Sequence, residues 1–322
     1  ESLDEIADYG YDIQTVYFDR MKALNGDPKS IKKFAHFIYK HPKLEPDQSS
    51  QMVFFKLASE LNDPIGQLKY GEFLTKSKKK EDISKGIQLV KDAADSGNLE
   101  AINLYAFFNF NNNLNHKNLK ESLTYYLKSA EKNCLTGLVN AGFLLQNCEE
   151  GDGIQSNPIE AVRLFKKAAE MGNPIGLFHY GEALLSGEGV EQNSEEAIKM
   201  FQMAADKGDS DSMVELGNLY EIGEGFKRNP QKALRLYKKA AEMENSEGMA
   251  HYAMLSEKYV TKIQNRAFLN QIGEDVEEDE IQDNENNDVE SENIDELQEL
   301  SMNFLKSAVD NENINAISLY GE

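Results

Sequence analysis

The stretch Lys166–Glu182, KKAAEMGNPIGLFHYGE, decides the fold. It holds an alanine pair at Ala168 and Ala169, then Gly172-Asn173-Pro174, then further small residues at Gly176 and Gly181. Glycines at fixed spacings serve either access to a catalytic loop or the close approach of two helices. The rest of the chain selects the second. Related stretches begin at Lys56, Lys91, Lys128, Met203, Lys239 and Ser307. The first small residue of each, here the anchor, is Ala58, Ala93, Ser129, Ala168, Ala204, Ala240 or Ala308, in steps of 35, 36, 39, 36, 36 and 68 residues. A period near 36 is one helical hairpin plus its connection, and the last step is one period plus an insertion of about 32 residues. A degenerate earlier copy falls around Phe18–Pro28.

Two columns of small residues carry the packing argument. Eight residues beyond the anchor stand Gly66, Ala101, Gly137, Gly176, Ser212, Gly248 and Ala316. Thirteen beyond it stand Gly71, Ala106, Gly142, Gly181, Gly217, Ala253 and Gly321. Small side chains let helices approach closely, so both columns read as contacts within the hairpin. Three residues before the anchor the column is Phe55, Val90, Tyr126, Phe165, Phe201, Tyr237 and Leu305, and the position before that is also large and apolar. With the anchor these make the i, i+3, i+4 stripe of an amphipathic helix. Gly97, Gly172 and Gly208 suit a left-handed helix end. Asn157-Pro158 and Asn229-Pro230 suit a cap followed by proline in the first turn. The expected fold is all-α, with about seven to eight antiparallel helix-turn-helix repeats.

The pattern A-x-x-x-[FY]-x-x-A-A-x-x-G-[ND], followed by [YL]-[GA] and G-x-G, resembles the Sel-one-like repeats, relatives of the tetratricopeptide repeat. The best copies are Ala161–Val190 and Ala197–Phe226, which end in GEGV and GEGF. Weaker copies extend the resemblance over residues 48–260 and 294–322. The second and third copies lack the Gly-x-Gly end and carry Lys-rich or Asn-rich connections. The resemblance implies a right-handed α-solenoid, a superhelix, serving as an adaptor or scaffold and often joined to other domains. The expected organisation is N-terminal helices with a degenerate repeat over 1–47, repeats over 48–260, an acidic, largely disordered insert over 261–293, and a further truncated repeat over 294–322.

Charge narrows the partners. The formal net charge is −22, from 56 acidic and 34 basic residues. That argues against nucleic-acid binding, which needs a basic face, and against docking on anionic membranes. No apolar run has the length of a membrane span. Cys134 and Cys148 read as reduced thiols. The chain starts at Glu1 without a Met and ends inside a repeat pattern, so it reads as a segment of a longer protein.

No catalytic constellation emerges. SGEGVEQ, from Ser186, begins like a dinucleotide fingerprint, but Gln192 stands where the third glycine is needed and no strand precedes it. His36, His41, His116, His179 and His251 are scattered, although His179 and His251 share one repeat position and read as a repeat contact. No cofactor or metal is expected. The segment Glu274–Glu299 holds fourteen acidic residues and no basic one, a composition of disorder. Opposite in sign, the first helices of three successive repeats carry Arg163 and Lys167, then Lys199, then Arg235 and Lys239, one turn apart and off the core stripe. This basic ladder is the expected protein-binding surface, suited to acidic or extended peptides, the chain's own insert among them.

Three functions fit. The leading one is a non-catalytic scaffold or adaptor for protein–protein interaction. The second is a regulatory region of a larger protein whose catalytic domain, such as a kinase, lies outside these residues. The third, from the resemblance, is an adaptor of ubiquitin ligases in endoplasmic-reticulum quality control. None of the 29 asparagines lies in an Asn-x-Ser/Thr sequence, which favours a cytoplasmic location over the lumen.

Overall fold

The computed structural model describes residues 13–44, 47–111, 118–149, 153–225, 227–272 and 294–310. Among these residues there are fifteen α-helices, a short 3-10 turn at Pro42–Leu44, and no strand. The first eight helices are α1 (Ile13–Leu24), α2 (Pro28–Lys40), α3 (Gln48–Glu60), α4 (Pro64–Thr75), α5 (Lys80–Asp95), α6 (Leu99–Phe110), α7 (Leu119–Glu131) and α8 (Leu135–Gln146). They are followed by α9 (Pro158–Glu170), α10 (Pro174–Ser186), α11 (Ser194–Asp206), α12 (Ser210–Ile222), α13 (Pro230–Glu242), α14 (Ser246–Ile272) and α15 (Ile294–Asp310). The chain forms two compact units, Glu1–Leu164 and Phe165–Glu322. Within each unit the helices pack in chain order, the arrangement of an all-α solenoid.

One turn, repeated, makes the hairpins. The N–H five residues beyond the anchor bonds back to the anchor carbonyl: Asp63 to Ala58, Asn98 to Ala93, Cys134 to Ser129, Asn173 to Ala168, Asp209 to Ala204 and Asn245 to Ala240, at 3.0–3.2 Å. This is the six-to-one bond of a Schellman motif, which requires a left-handed residue just before it. That residue is Asn62, Gly97, Asn133, Gly172, Gly208 or Glu244, all with positive φ. Then the next side chain caps the second helix. Asp63, Asn98, Asn173, Asp209 and Asn245 each accept the N–H three residues on, from Gly66, Ala101, Gly176, Ser212 and Gly248. The small residue eight beyond the anchor is therefore also the capped one. Cys134 occupies the cap position without a side-chain cap hydrogen bond.

The same turn occurs once more, earlier. Asp27 N–H bonds to Lys22 O at 3.0 Å, Gly26 is left-handed, and Asp27 caps Ser30. This aligns Lys22 with the anchors, and Ser30 and Ala35 with the two small columns; both are buried. The α1–α2 pair thus keeps the register of the later repeats.

The two small columns face different neighbours. A Cβ placed on Gly66, Gly176 or Gly248 would lie 2.6 Å from the Cβ of Ala58, Ala168 or Ala240. On Gly137 it would lie 2.5 Å from Ser129 Cβ. These contacts lie within a hairpin. The second column differs from the hairpin-internal contact expected of it. A Cβ on Gly71 would meet Gly86 O at 2.7 Å, and one on Gly181 would meet the Phe201 ring at 2.8 Å. Gly217 faces the Tyr237 ring in the same way. Each of these three packs on the first helix of the next repeat. The reason is helical geometry: five residues turn about 500°, so the second column points about 140° away from the first. Ala101, Ala106, Ser212 and Ala253 are also buried, as is Gly142. Ala316 and Gly321 lie outside the described residues.

The large column fills the core. Phe55, Tyr126, Phe165, Phe201, Tyr237 and Leu305 are all buried, and each such side chain contributes about 1.5–3 kcal/mol relative to exposure. The helix α14 continues to Ile272, into the segment where the insert was expected to begin. No Gly or Pro interrupts the sequence between Met249 and Ile272. The acidic core of the insert, residues 273–293, lies outside the described residues.

Candidate protein-binding surface

The basic ladder sits on first helices. Arg163, on α9, is exposed and clamps Glu160: Nε and Nη2 donate to its two carboxylate oxygens at 2.7 and 2.6 Å. That hydrogen bonding holds the Glu160 carboxyl below its usual range. Arg163 belongs to the first unit and its charge is committed locally. Lys167, Lys199, Arg235 and Lys239 belong to the second unit. Lys167 is half-buried, whereas Lys199 on α11 and Arg235 and Lys239 on α13 are exposed. Repeat register places Lys199 and Arg235 at equivalent positions, on corresponding faces of α11 and α13.

The second helices of the same unit carry a different polar row. Eleven residues beyond successive anchors stand His179, Glu215 and His251. His179 lies against the Phe165 ring, 4.8 Å between centroids, and its Nδ1 is 2.8 Å from Glu182. His251 stacks on Tyr237 at 5.0 Å and sits 3.8 Å from Glu247. Between them, burial raises the Glu215 carboxyl, and the charges of Glu247 and Glu182 add to the rise. The Asn218 amide and His251 oppose it. Below this row Tyr237 Oη donates to Asn218 Oδ1 at 2.7 Å, and Lys258 pairs with Glu221 at 3.1 Å. The shared position of the two histidines was the sequence signal for this row; Glu215, at the same position in the intervening repeat, was the residue it did not include.

The remaining histidines are dispersed. His36 Nε2 lies 2.9 Å from Asp63 Oδ2, beside the α4 cap, and His41 packs on Phe37 at 5.2 Å. His116 lies outside the described residues. Among the described residues no group of His, Cys, Asp and Glu is arranged to hold a metal ion, and no helix is long and apolar enough to cross a membrane. Cys134 and Cys148 are free, half-exposed thiols.

Hairpins in a single register, with small columns at their contacts and polar rows on their faces, define an all-α repeat protein. The family model "Sel1 repeat" matches residues 64–98, 117–134, 138–173, 174–209 and 210–245, half of the chain, and the chain belongs to the Sel1 repeat family. The shared turn geometry begins earlier than that match, at Lys22. Among solved structures the chain is similar to a Sel1 repeat protein from Oxalobacter formigenes, at 24% identity over 70% of this chain and 89% of that one, with a TM-score of 0.56. It is also similar to a protective antigen of uropathogenic Escherichia coli displaying an SLR fold, at 17% identity over 94% of this chain and 73% of that one, with a TM-score of 0.59. At these identities the likeness shows the fold. No curated protein matches the chain. Sel1 repeat proteins generally act as protein-interaction scaffolds and are typically non-catalytic.

Proposed function

We propose that this chain is a non-catalytic scaffold that captures acidic, extended polypeptides on the first-helix face of its second unit. The observation that carries this reading is the exposure of Lys199, Arg235 and Lys239 at repeat-related positions in a protein of net charge −22. Lys167, on α9, belongs to the same unit, whereas Arg163 lies in the first unit and pairs with Glu160. Cations at matched positions on successive helices can pair with several carboxylates along one extended acidic peptide. Charged faces of this kind set association rate and partner choice.

The test uses a fluorescent peptide of residues 274–293 and the intact chain. Anisotropy should report binding that weakens as salt rises, because exposed charges are screened over about 8 Å at physiological ionic strength. The triple reversal Lys199→Glu, Arg235→Glu, Lys239→Glu should abolish binding while the melting temperature stays within a few degrees. Undiminished binding by a folded triple variant would remove this face as the site.

A further inference from the structure

Of the six hairpin turns from Ala58 to Asn245, five place Asp or Asn at the cap, and one places Cys134 there. The same turn departs at its anchor, where Ser129 replaces the alanine of the other five. The two departures face each other. Ser129 is fully buried, and its Oγ lies beside the Cys134 sulfur without making an aligned hydrogen bond. That oxygen lies at the N-terminus of α8, 2.6 Å from where a Cβ on Gly137 would sit. On the other side, from α6, Asn103 donates its Nδ2 to Cys134 Sγ at 3.3 Å, while its buried Oδ1 has no partner. The sulfur of this half-exposed residue thus stands beside a buried hydroxyl and a buried amide carbonyl that are both unsatisfied. Native proteins rarely leave two such buried groups unsatisfied side by side.

We propose that Cys134 is an oxidisable thiolate that reacts with hydroperoxides, and that Ser129 and Asn103 hold the sulfenic acid it forms. In the reaction the thiolate attacks one peroxide oxygen. The S–O bond forms as the O–O bond breaks, sulfur loses two electrons, and the peroxide is reduced. With hydrogen peroxide, one OH stays on sulfur and hydroxide leaves, becoming water with a proton from solvent. The new O–H then donates to Asn103 Oδ1, and its oxygen accepts from Ser129 Oγ. Both unmet groups are satisfied by one added atom and its hydrogen.

The electrostatics support this. Burial pushes the Cys134 thiol up, but the Ser129 hydroxyl, the Asn103 amide and the N–H groups of Gly137 and Thr136 outweigh it and hold the thiol at about 7. A thiolate is the nucleophile in such oxidations, and helix N-termini favour it.

The intact chain provides its own control in Cys148, which is also free and half-exposed. After stoichiometric hydrogen peroxide, dimedone should label Cys134 on the order of tenfold more than Cys148, as located by peptide mass spectrometry. Iodoacetamide alkylation of Cys134 should be half-maximal near pH 7. The variant Ser129→Ala restores the residue of the other turns. It should keep the melting temperature, raise the alkylation midpoint and shorten the dimedone-reactive lifetime severalfold. Equal labelling of the two cysteines, no labelling of Cys134, or a Ser129→Ala variant with unchanged midpoint and lifetime would each overturn the proposal.

Discussion

The hairpins α7–α8 and α11–α12 run the same turn with different residues. One reads Ser129-Ala130-Glu131-Lys132-Asn133-Cys134, and the other Ala204-Ala205-Asp206-Lys207-Gly208-Asp209. Both close a six-to-one bond, at 3.2 and 3.1 Å, and both place the fifth residue in left-handed space, at φ 58 and 86. In the second hairpin each residue is the natural choice: alanine for contact, glycine for positive φ, aspartate for the cap. In the first the anchor and the cap depart and asparagine takes the left-handed position, yet the backbone is kept. Geometry is therefore set by the packing of the pair, and the local residues adjust its stability. Departures that gain no stability are where other chemistry is to be sought, and Cys134 is such a residue.

The largest test of this view is at the contacts that both kinds of hairpin share. Gly181→Leu and Gly217→Leu push side chains into the Phe201 and Tyr237 rings. Each should cost about 1–3 kcal/mol in thermal or urea unfolding. Variants that unfold like the parent would mean that this column is not a contact between repeats.

The caps sharpen the comparison at intermediate size. Asp209 Oδ2 accepts the Ser212 N–H at 2.9 Å, so Asp209→Ala should cost about 1 kcal/mol. The neutral Cys134 thiol makes no cap bond, so below pH 7 Cys134→Ala should change the unfolding midpoint far less. Equal losses at the two positions would show that the sulfur caps α8 as well as a carboxylate caps α12.

A smaller effect is expected at Glu215. Its carboxyl is raised in the folded chain, so ionisation opposes folding. The protonated form's advantage is fully present below the unfolded pKa, about 4.3, and is lost as pH rises through the folded value. Glu215→Gln should therefore raise the melting temperature at pH 7, with the gain fading toward pH 4. A gain that grew on acidification would contradict the repulsion from Glu247 and Glu182.

Much of this was legible in the sequence. The period, the first small column and the turn glycines are local signals, because a glycine or alanine at a fixed offset has few other reasons to recur. The facing of the second column was not legible, since it depends on which neighbour lies about 140° around the helix. The earlier copy was legible around Phe18–Pro28 only as a degenerate one, because its anchor is Lys22 and only Ser30 and Ala35 are left to mark the columns. Arg163 stood out as a repeat-matched cation, while its partner Glu160, three residues earlier, is what decides its availability. Cys134, taken as an isolated thiol, becomes informative only when set beside Asp63, Asn98, Asn173, Asp209 and Asn245 in the cap column.

One register through all the hairpins is the central claim, and a turn graft tests it most directly. Replacing residues 129–134 with the sequence of 204–209 requires Ser129→Ala, Glu131→Asp, Asn133→Gly and Cys134→Asp. If the positions are equivalent, the graft supplies the missing cap and a glycine at positive φ. The chain should then unfold cooperatively with about 1–2 kcal/mol more stability in urea. A grafted chain that is less stable than the parent, or that loses cooperativity, would contradict the shared register.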